Sequence, residues 1–212
     1  MTTIQVRGII IKETQVGESD KYLTIFTKDR GKLIIRARGA KNAKSKFITA
    51  QMFAYCDFVI YKGSGFYSLT QIELLESFYN IRNDYDTLML AYDVTNTYDK
   101  YLPDVIEEDE STDFLLLLIK TMKELSRDII AHDLVVCVFK LKFLQLCGVA
   151  PTIEKDYLQG LDAKIKVTNA TAYTINYIID ADIAKVYSFT LDKDTKQSLQ
   201  DICDLFIPKL DS

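Results

Sequence analysis

The chain has 212 residues, 48 % of them apolar and 26 % charged, with a formal net charge of −4. That length fits one large domain or two small ones with real cores, and the composition excludes a low-complexity chain or a disulfide-dense scaffold. The charge is unevenly divided: residues 1–80 hold twelve Lys/Arg against seven Asp/Glu, and residues 81–212 hold fourteen against twenty-three, the pattern of an anion-binding part joined to a part with another task.

The first eighty residues predict strands. Residues 3–12 are rich in β-branched side chains, and a turn follows at Val16-Gly17-Glu18-Ser19-Asp20. Residues 22–27 form a second strand, and Asp29-Arg30-Gly31 turns into a third over 32–38. Residues 39–50 read as a basic connection with room for a short helix. Strands over 52–61 and 66–73 are joined by Lys62-Gly63-Ser64-Gly65. Five short strands with an insertion between the third and fourth predict an OB-fold barrel.

The period then changes. Ile81, Tyr85, Leu88, Tyr92 and Leu102 fall near helical spacing, with Pro103 as a stop. Ser111-Thr112-Asp113 reads as the cap of a helix bearing Phe114, Leu117, Leu118, Met122 and Leu125. A further helix runs from about Asp133 through Val138, Phe139, Phe143 and Leu146, ending at Gly148 before Pro151. Residues 168–187 are β-branched and aromatic without a clear period, so a β-rich insertion is expected around 152–190. A last helix is expected over 194–205. The fold class is therefore α+β: an OB-fold barrel over 1–79 and a mainly helical domain over 80–212.

In the third strand, residues of one parity face one side. Lys32, Ile34, Arg36 and Arg38 share a face, while Leu33, Ile35 and Ala37 share the other and can sit on a core. The charged face runs on into Lys41, Lys44 and Lys46, and Arg7 and Lys21 extend it. A positive strip on a rigid sheet suits a phosphate backbone. Among the interleaved aromatics, Phe47 and Tyr67 lie beside polar or flexible sequence and are the expected stacking platforms for bases.

Nothing points to catalysis. The single histidine, His132, lies beside Asp133 at a helix start, and an isolated imidazole there is a helix-end residue rather than a base. No nucleophile elbow, phosphate loop or dinucleotide fingerprint occurs. Gly63-Ser64-Gly65 is a turn between strands, and Glu107-Glu108-Asp109-Glu110 reads as solvated charge. Cys56, Cys137, Cys147 and Cys203 are too scattered for a zinc site and read as free thiols in a reducing cytosol. No signal peptide is expected, and the longest apolar runs, such as residues 114–119, are far short of a membrane span.

Several of these segments, in order, closely resemble the bacterial RecO family of recombination mediators. They are Val16-Gly17-Glu18-Ser19-Asp20-Lys21-Tyr22-Leu23-Thr24-Ile25-Phe26-Thr27 with Gly31-Lys32-Leu33, then Arg38-Gly39-Ala40-Lys41 with Lys44-Ser45. Tyr61-Lys62-Gly63-Ser64-Gly65, Leu69 to Phe78, and Phe139 to Pro151 complete the match, which covers about residues 4–151. The resemblance implies an OB-fold followed by a helical domain in a non-enzymatic DNA-repair protein with no cofactor. It implies binding of single- and double-stranded DNA, annealing of complementary strands, and help in loading RecA onto DNA coated with single-strand-binding protein, together with RecR. It also implies a helical domain that receives the acidic, apolar C-terminal tail of the single-strand-binding protein. Here Lys120 and Lys123, or Lys140 and Lys142, would supply the positive site. A cytoplasmic protein that joins the nucleoid during repair is the matching location.

One departure stands out. Many members of that family carry a four-cysteine zinc motif after the segment matching Ala150-Pro151, whereas residues 152–202 here contain no cysteine. No structural zinc is expected, and hydrophobic packing over 168–187 would supply the folding energy that a metal otherwise contributes. Two other readings of the whole chain are a protein–protein adaptor of the repair machinery with little DNA binding of its own, and an RNA-binding OB protein.

Overall fold

A computed structural model describes every residue except Met1, Ala43, Ser64, 155–156, 161–162 and 207–212. The expected turn residue Ser64 and those four residues of the 152–190 insertion therefore lie outside the described residues. The chain divides into two compact units, Met1–Met122 and Lys123–Ser212.

In the first unit, β1 (Thr2–Val16), β2 (Asp20–Thr27), β3 (Gly31–Ala37), β4 (Tyr55–Lys62) and β5 (Tyr67–Glu76) close a barrel in the order β1-β2-β3-β5-β4. This is the five-stranded OB-fold expected from the sequence. The long β1 serves both sides of the closure: its first half pairs with β4 and its second half with β2. A bulge between Ile10 and Lys12 shifts the register there, and bulges of this kind bend a strand around a barrel. Closure is narrowest between β3 and β5, a parallel contact made only at Ile35–Tyr67 and Arg36–Ser68. Val6, Ile10, Leu23, Ile25, Ile35, Phe58, Ile60 and Leu69 fill the interior. They alternate with outward residues as a pleated strand requires.

A single 3-10 turn, Tyr79–Asn83, leads into α1 (Tyr85–Tyr101), whose N-terminus is capped by the Asp84 carboxylate accepting the Thr87 amide. α1 packs on the barrel wall through aromatic edges: Phe26 meets Tyr98 at 5.1 Å and Phe53 meets Tyr92 at 5.1 Å between ring centroids. The buried Tyr98 hydroxyl donates to the Phe114 carbonyl at 2.7 Å. α2 (Glu108–Arg127) begins three residues earlier than the expected Ser111 cap. Ser111 is buried within the helix and donates to the Thr27 carbonyl at 2.7 Å, so its hydroxyl ties α2 to β2 rather than capping a helix. The segment before α2 lies against the start of β3. A Cβ at Gly31 would come within 2.7 Å of the Asp104 carbonyl oxygen, and its φ of +63° is also one that glycine accepts readily.

In the second unit, α3 (His132–Leu146), α4 (Asn169–Asp180) and α5 (Lys193–Phe206) pack with a three-stranded sheet, β6 (Thr152–Glu154), β7 (Tyr157–Gly160) and β8 (Ala163–Lys166). The β-rich reading of 152–190 is thus corrected: strands occupy 152–154, 157–160 and 163–166, and 169–180 is helical. Thr168 caps α4 by accepting the Thr171 amide. Buried Thr171, Thr174, Ile175 and Ile178 then recur at helical spacing, a period that the β-branched composition masked. Leu158 of β7 is fully buried in a cluster with Leu141 and Leu144 of α3, Ile175 and Ile178 of α4, and Leu199 and Ile202 of α5. Among the described residues no three His, Cys, Asp or Glu side chains converge as metal ligands, and no helix is long and apolar enough to cross a membrane.

Leu158 is the only fully buried side chain that the described part of the small sheet contributes to this cluster. Leu158→Ala should therefore lower unfolding free energy by about 2–5 kcal/mol. Urea denaturation followed by circular dichroism measures this, and a loss well under ~1 kcal/mol would show that the small sheet is not anchored there.

Candidate nucleic-acid interface

The outward row of β3 is Lys32, Ile34 and Arg36, each facing a residue of β2: Phe26, Thr24 and Tyr22 respectively. Leu33, Ile35 and Ala37 point inward, as the alternation predicts. Neighbouring chain covers the lower end of this row. The Lys32 ammonium donates to the Asp99 carbonyl at 2.8 Å and lies 3.4 Å from the Asp104 carboxylate, leaving its side chain 10 % exposed. The upper end is open. There Arg36 is clamped by Asp20, whose Oδ2 accepts from Nε at 3.0 Å and from Nη2 at 2.7 Å.

The other oxygen of Asp20 accepts the Gly39 amide at 2.9 Å. That amide, and then the Arg36 guanidinium, hold the Asp20 carboxyl below the usual carboxylate range. Two further bonds fix the basic connection: the Lys41 amide donates to the Ser19 carbonyl at 3.0 Å, and the Lys46 ammonium donates to the Thr70 carbonyl of β5 at 3.0 Å. The connection is a series of turns rather than a helix. It bridges the β1–β2 turn and β5 and carries Arg38, Lys41, Lys44 and Lys46 along one rim of the barrel.

These four are exposed, and among the described residues none has an acidic partner. The other four cations expected in the strip are neutralised. Besides Lys32 and Arg36, Arg7 makes a bidentate pair with Asp57 at 2.7 and 2.8 Å, which holds the Asp57 carboxyl low. This pair lies on the β1–β4 wall, lining a cavity of about 680 Å³. Lys21 is 2.7 Å from Glu13. Their cross-strand partners Ala37 and Leu23 are fully buried, so this pair sits on the inward parity near the barrel end.

The expected stacking residues are corrected as well. Phe47 is 4 % exposed and belongs to the barrel core, with the Lys46 ammonium 4.9 Å above its ring. Tyr67 packs against the same core from its pairing position opposite Ile35. The exposed ring is that of the preceding residue, Phe66, at 47 %. The sequence carries no signal for this: Phe66 is outward because the β3–β5 register sets Tyr67 opposite the inward Ile35.

The second cationic group disperses. Lys142 is buried, and its ammonium donates to the Ile179 and Ala181 carbonyls at 2.7 Å each, stabilising the C-terminal end of α4. It is not available to a partner, which corrects its expected role. Lys140, two residues away on α3, is half-buried, and residues at that spacing do not share a helix face. Lys120 is half-buried and Lys123 exposed on α2, at a spacing that does share a face. His132 lies 3.3 Å from Asp128, at the start of α3.

Residues 1–78 match the family model described as Recombination protein O N terminal. The chain is 28 % identical to the DNA repair protein RecO of Acetivibrio thermocellus, over 94 % of this chain and 88 % of that one. It is 27 % identical to the protein of the same name in Clostridium acetobutylicum, over 98 % and 92 % of the two chains. Against that of a Thermoanaerobacter species it is 30 % identical over 78 % and 66 %.

The Asp20 clamp has a testable pH signature. A carboxyl held below its unfolded-state value stabilises the fold above that value, about 3.9, and the contribution is lost as pH falls through the lower folded-state value. Asp20→Asn should therefore be less stable than the parent chain at neutral pH, and the difference should close below about pH 4. Urea midpoints of both proteins against pH check this; a gap that persists at the acid end would place the effect elsewhere.

Proposed function

The chain belongs to the RecO family of DNA repair proteins, and we propose that it is a recombination mediator that binds DNA along the barrel rim formed by Arg38, Lys41, Lys44 and Lys46. A role in DNA repair and recombination follows from the family. The observation that supports the finer reading is the contrast between these four exposed, acid-free cations and the four neighbouring ones already satisfied inside the protein. Exposed cations without an acidic partner can release counterions from a phosphate backbone, which drives binding independently of sequence.

Arg36 acts here through position. Bound to Asp20, it fixes the end of β3 and the first turn of the basic connection, from which the cations are presented. Two complementary strands neutralised on one rim repel each other less, and their pairing is faster with no bond made or broken. The protein is accordingly a mediator and not an enzyme, working in the cytoplasm where the chromosome lies. RecR, and the tail of the single-strand-binding protein, are its proposed partners. Lys120 and Lys123 remain the candidates for receiving that tail, and RecA is the downstream beneficiary.

If all four rim cations contact phosphates, log affinity for single strands should fall against log salt with a slope of about −2.8. Replacing Arg38, Lys41, Lys44 and Lys46 together by Ala should bring that slope close to zero and slow annealing of complementary oligonucleotides. Arg7→Ala, by contrast, should leave the slope unchanged. Fluorescence anisotropy across a salt series measures both, and a quadruple variant that keeps the parental slope would remove the rim from the interface.

A further inference from the structure

We propose that the seam between β3 and β5 is a stacking shelf for unpaired bases, with Phe66 as its platform and Ile34 beside it, so that the rim takes single strands in preference to duplex. The proposal deepens the reading of the rim as a DNA surface and rests on it.

The seam consists of two register pairs, Ile35–Tyr67 and Arg36–Ser68. Ile34 and Phe66 each precede the first pair, so they sit level with one another at its start. Ile35 and Tyr67 turn toward the core, and alternation therefore sends Ile34 and Phe66 to the outer side. With exposures of 61 % for Ile34 and 47 % for Phe66, both side chains present apolar surface to solvent. Isolated exposed apolar side chains are ordinary. These two are adjacent and lie among cations. Lys62 stands opposite Tyr67 on β4 and is exposed, and Arg38 lies in the turn just past the end of β3.

The phenyl ring is also held in place. The Gly63 amide donates to the Phe66 carbonyl at 3.0 Å, closing the β4–β5 turn. A Cβ at Gly63 would lie 3.6 and 3.7 Å from the nearest ring carbons, so the ring rests on the space that glycine leaves. A ring seated on a closed turn loses little freedom when a base stacks on it. The turn between the fourth and fifth strands is one of the regions where OB-folds contact extended polymers. Duplex DNA keeps its base faces in its own stack, and only an unpaired base offers a face to a protein ring.

The test compares the full chain and its Phe66→Ala variant on three oligonucleotides of equal length: a single strand, its duplex, and a strand with an abasic tract. Stacking of this kind corresponds to roughly a five- to hundredfold effect per base. Phe66→Ala should weaken single-strand binding by that order, change duplex binding by less than about twofold, and leave the salt slope and the melting temperature unaltered. Phe66→Tyr should bind like the parent. The parent chain should hold the abasic strand as weakly as Phe66→Ala holds the intact one, and the variant should not distinguish the two strands. Equal losses on strand and duplex, or no loss on the strand, would overturn the stacking shelf while leaving the rim as a DNA surface. A parent chain with no affinity for either form would overturn the rim and the shelf together.

Discussion

Asp20 connects three parts of the barrel: the start of β2, the end of β3 and the first turn of the basic connection. Its carboxylate joins the guanidinium of Arg36 on β3 to the amide of Gly39 in the connection beyond, and it stands at the start of β2 beside the turn whose Ser19 carbonyl accepts the Lys41 amide. A carboxylate that accepts charge-assisted bonds from both an arginine and a backbone amide is held more firmly than one in a simple surface ion pair. The arrangement of the rim depends on it. Without that anchor the connection would keep its Lys41–Ser19 and Lys46–Thr70 bonds but lose its fixed first turn, and ordering that turn on a ligand would cost conformational entropy.

The cations around the barrel fall into two functional kinds. Lys32, Arg36, Arg7 and Lys21 face acids or carbonyls of the chain itself, and their work is to brace strands, the segment before α2 and the barrel end. Arg38, Lys41, Lys44 and Lys46 are exposed and face no acid, although Lys46 also donates to the Thr70 carbonyl. A count of charge along the sequence cannot separate these kinds, because a lysine's partner can be many residues away: Lys32 donates to the Asp99 carbonyl, and Arg7 is paired with Asp57. Such partners meet only once β1 is laid against β4 and α1 is packed on the barrel.

The second unit shows the same division between composition and packing. Its small sheet is fastened to α3, α4 and α5 through Leu158 and its apolar neighbours. Lys142, polar by composition, is spent on the C-terminal carbonyls of α4. A buried lysine that satisfies helix-end carbonyls braces the fold and is no surface group.

Much of this was legible in the residues alone. Alternation in β3 placed Ile35 and Ala37 inside and Ile34 and Arg36 outside, because the side-chain period of a strand is fixed by backbone geometry. Five strands with turns at Gly17, Gly31 and Gly63 marked the barrel, since turn chemistry is local. Other features were decided by tertiary structure. Phe47 entered the core because the connection folds back over the barrel, whereas Phe66 stayed outside because the register opposite Ile35 left it there. Residues 169–180 became a helix once one face could bury Ile175 and Ile178 against their neighbours, which outweighed the β-branched propensity. The sequence by itself thus determined the strands, their inward faces and the basic character of the connection, all of which follow from short-range periodicity. Which cations remain without an acid, and which aromatic ring meets solvent, depended on contacts between residues far apart in the chain.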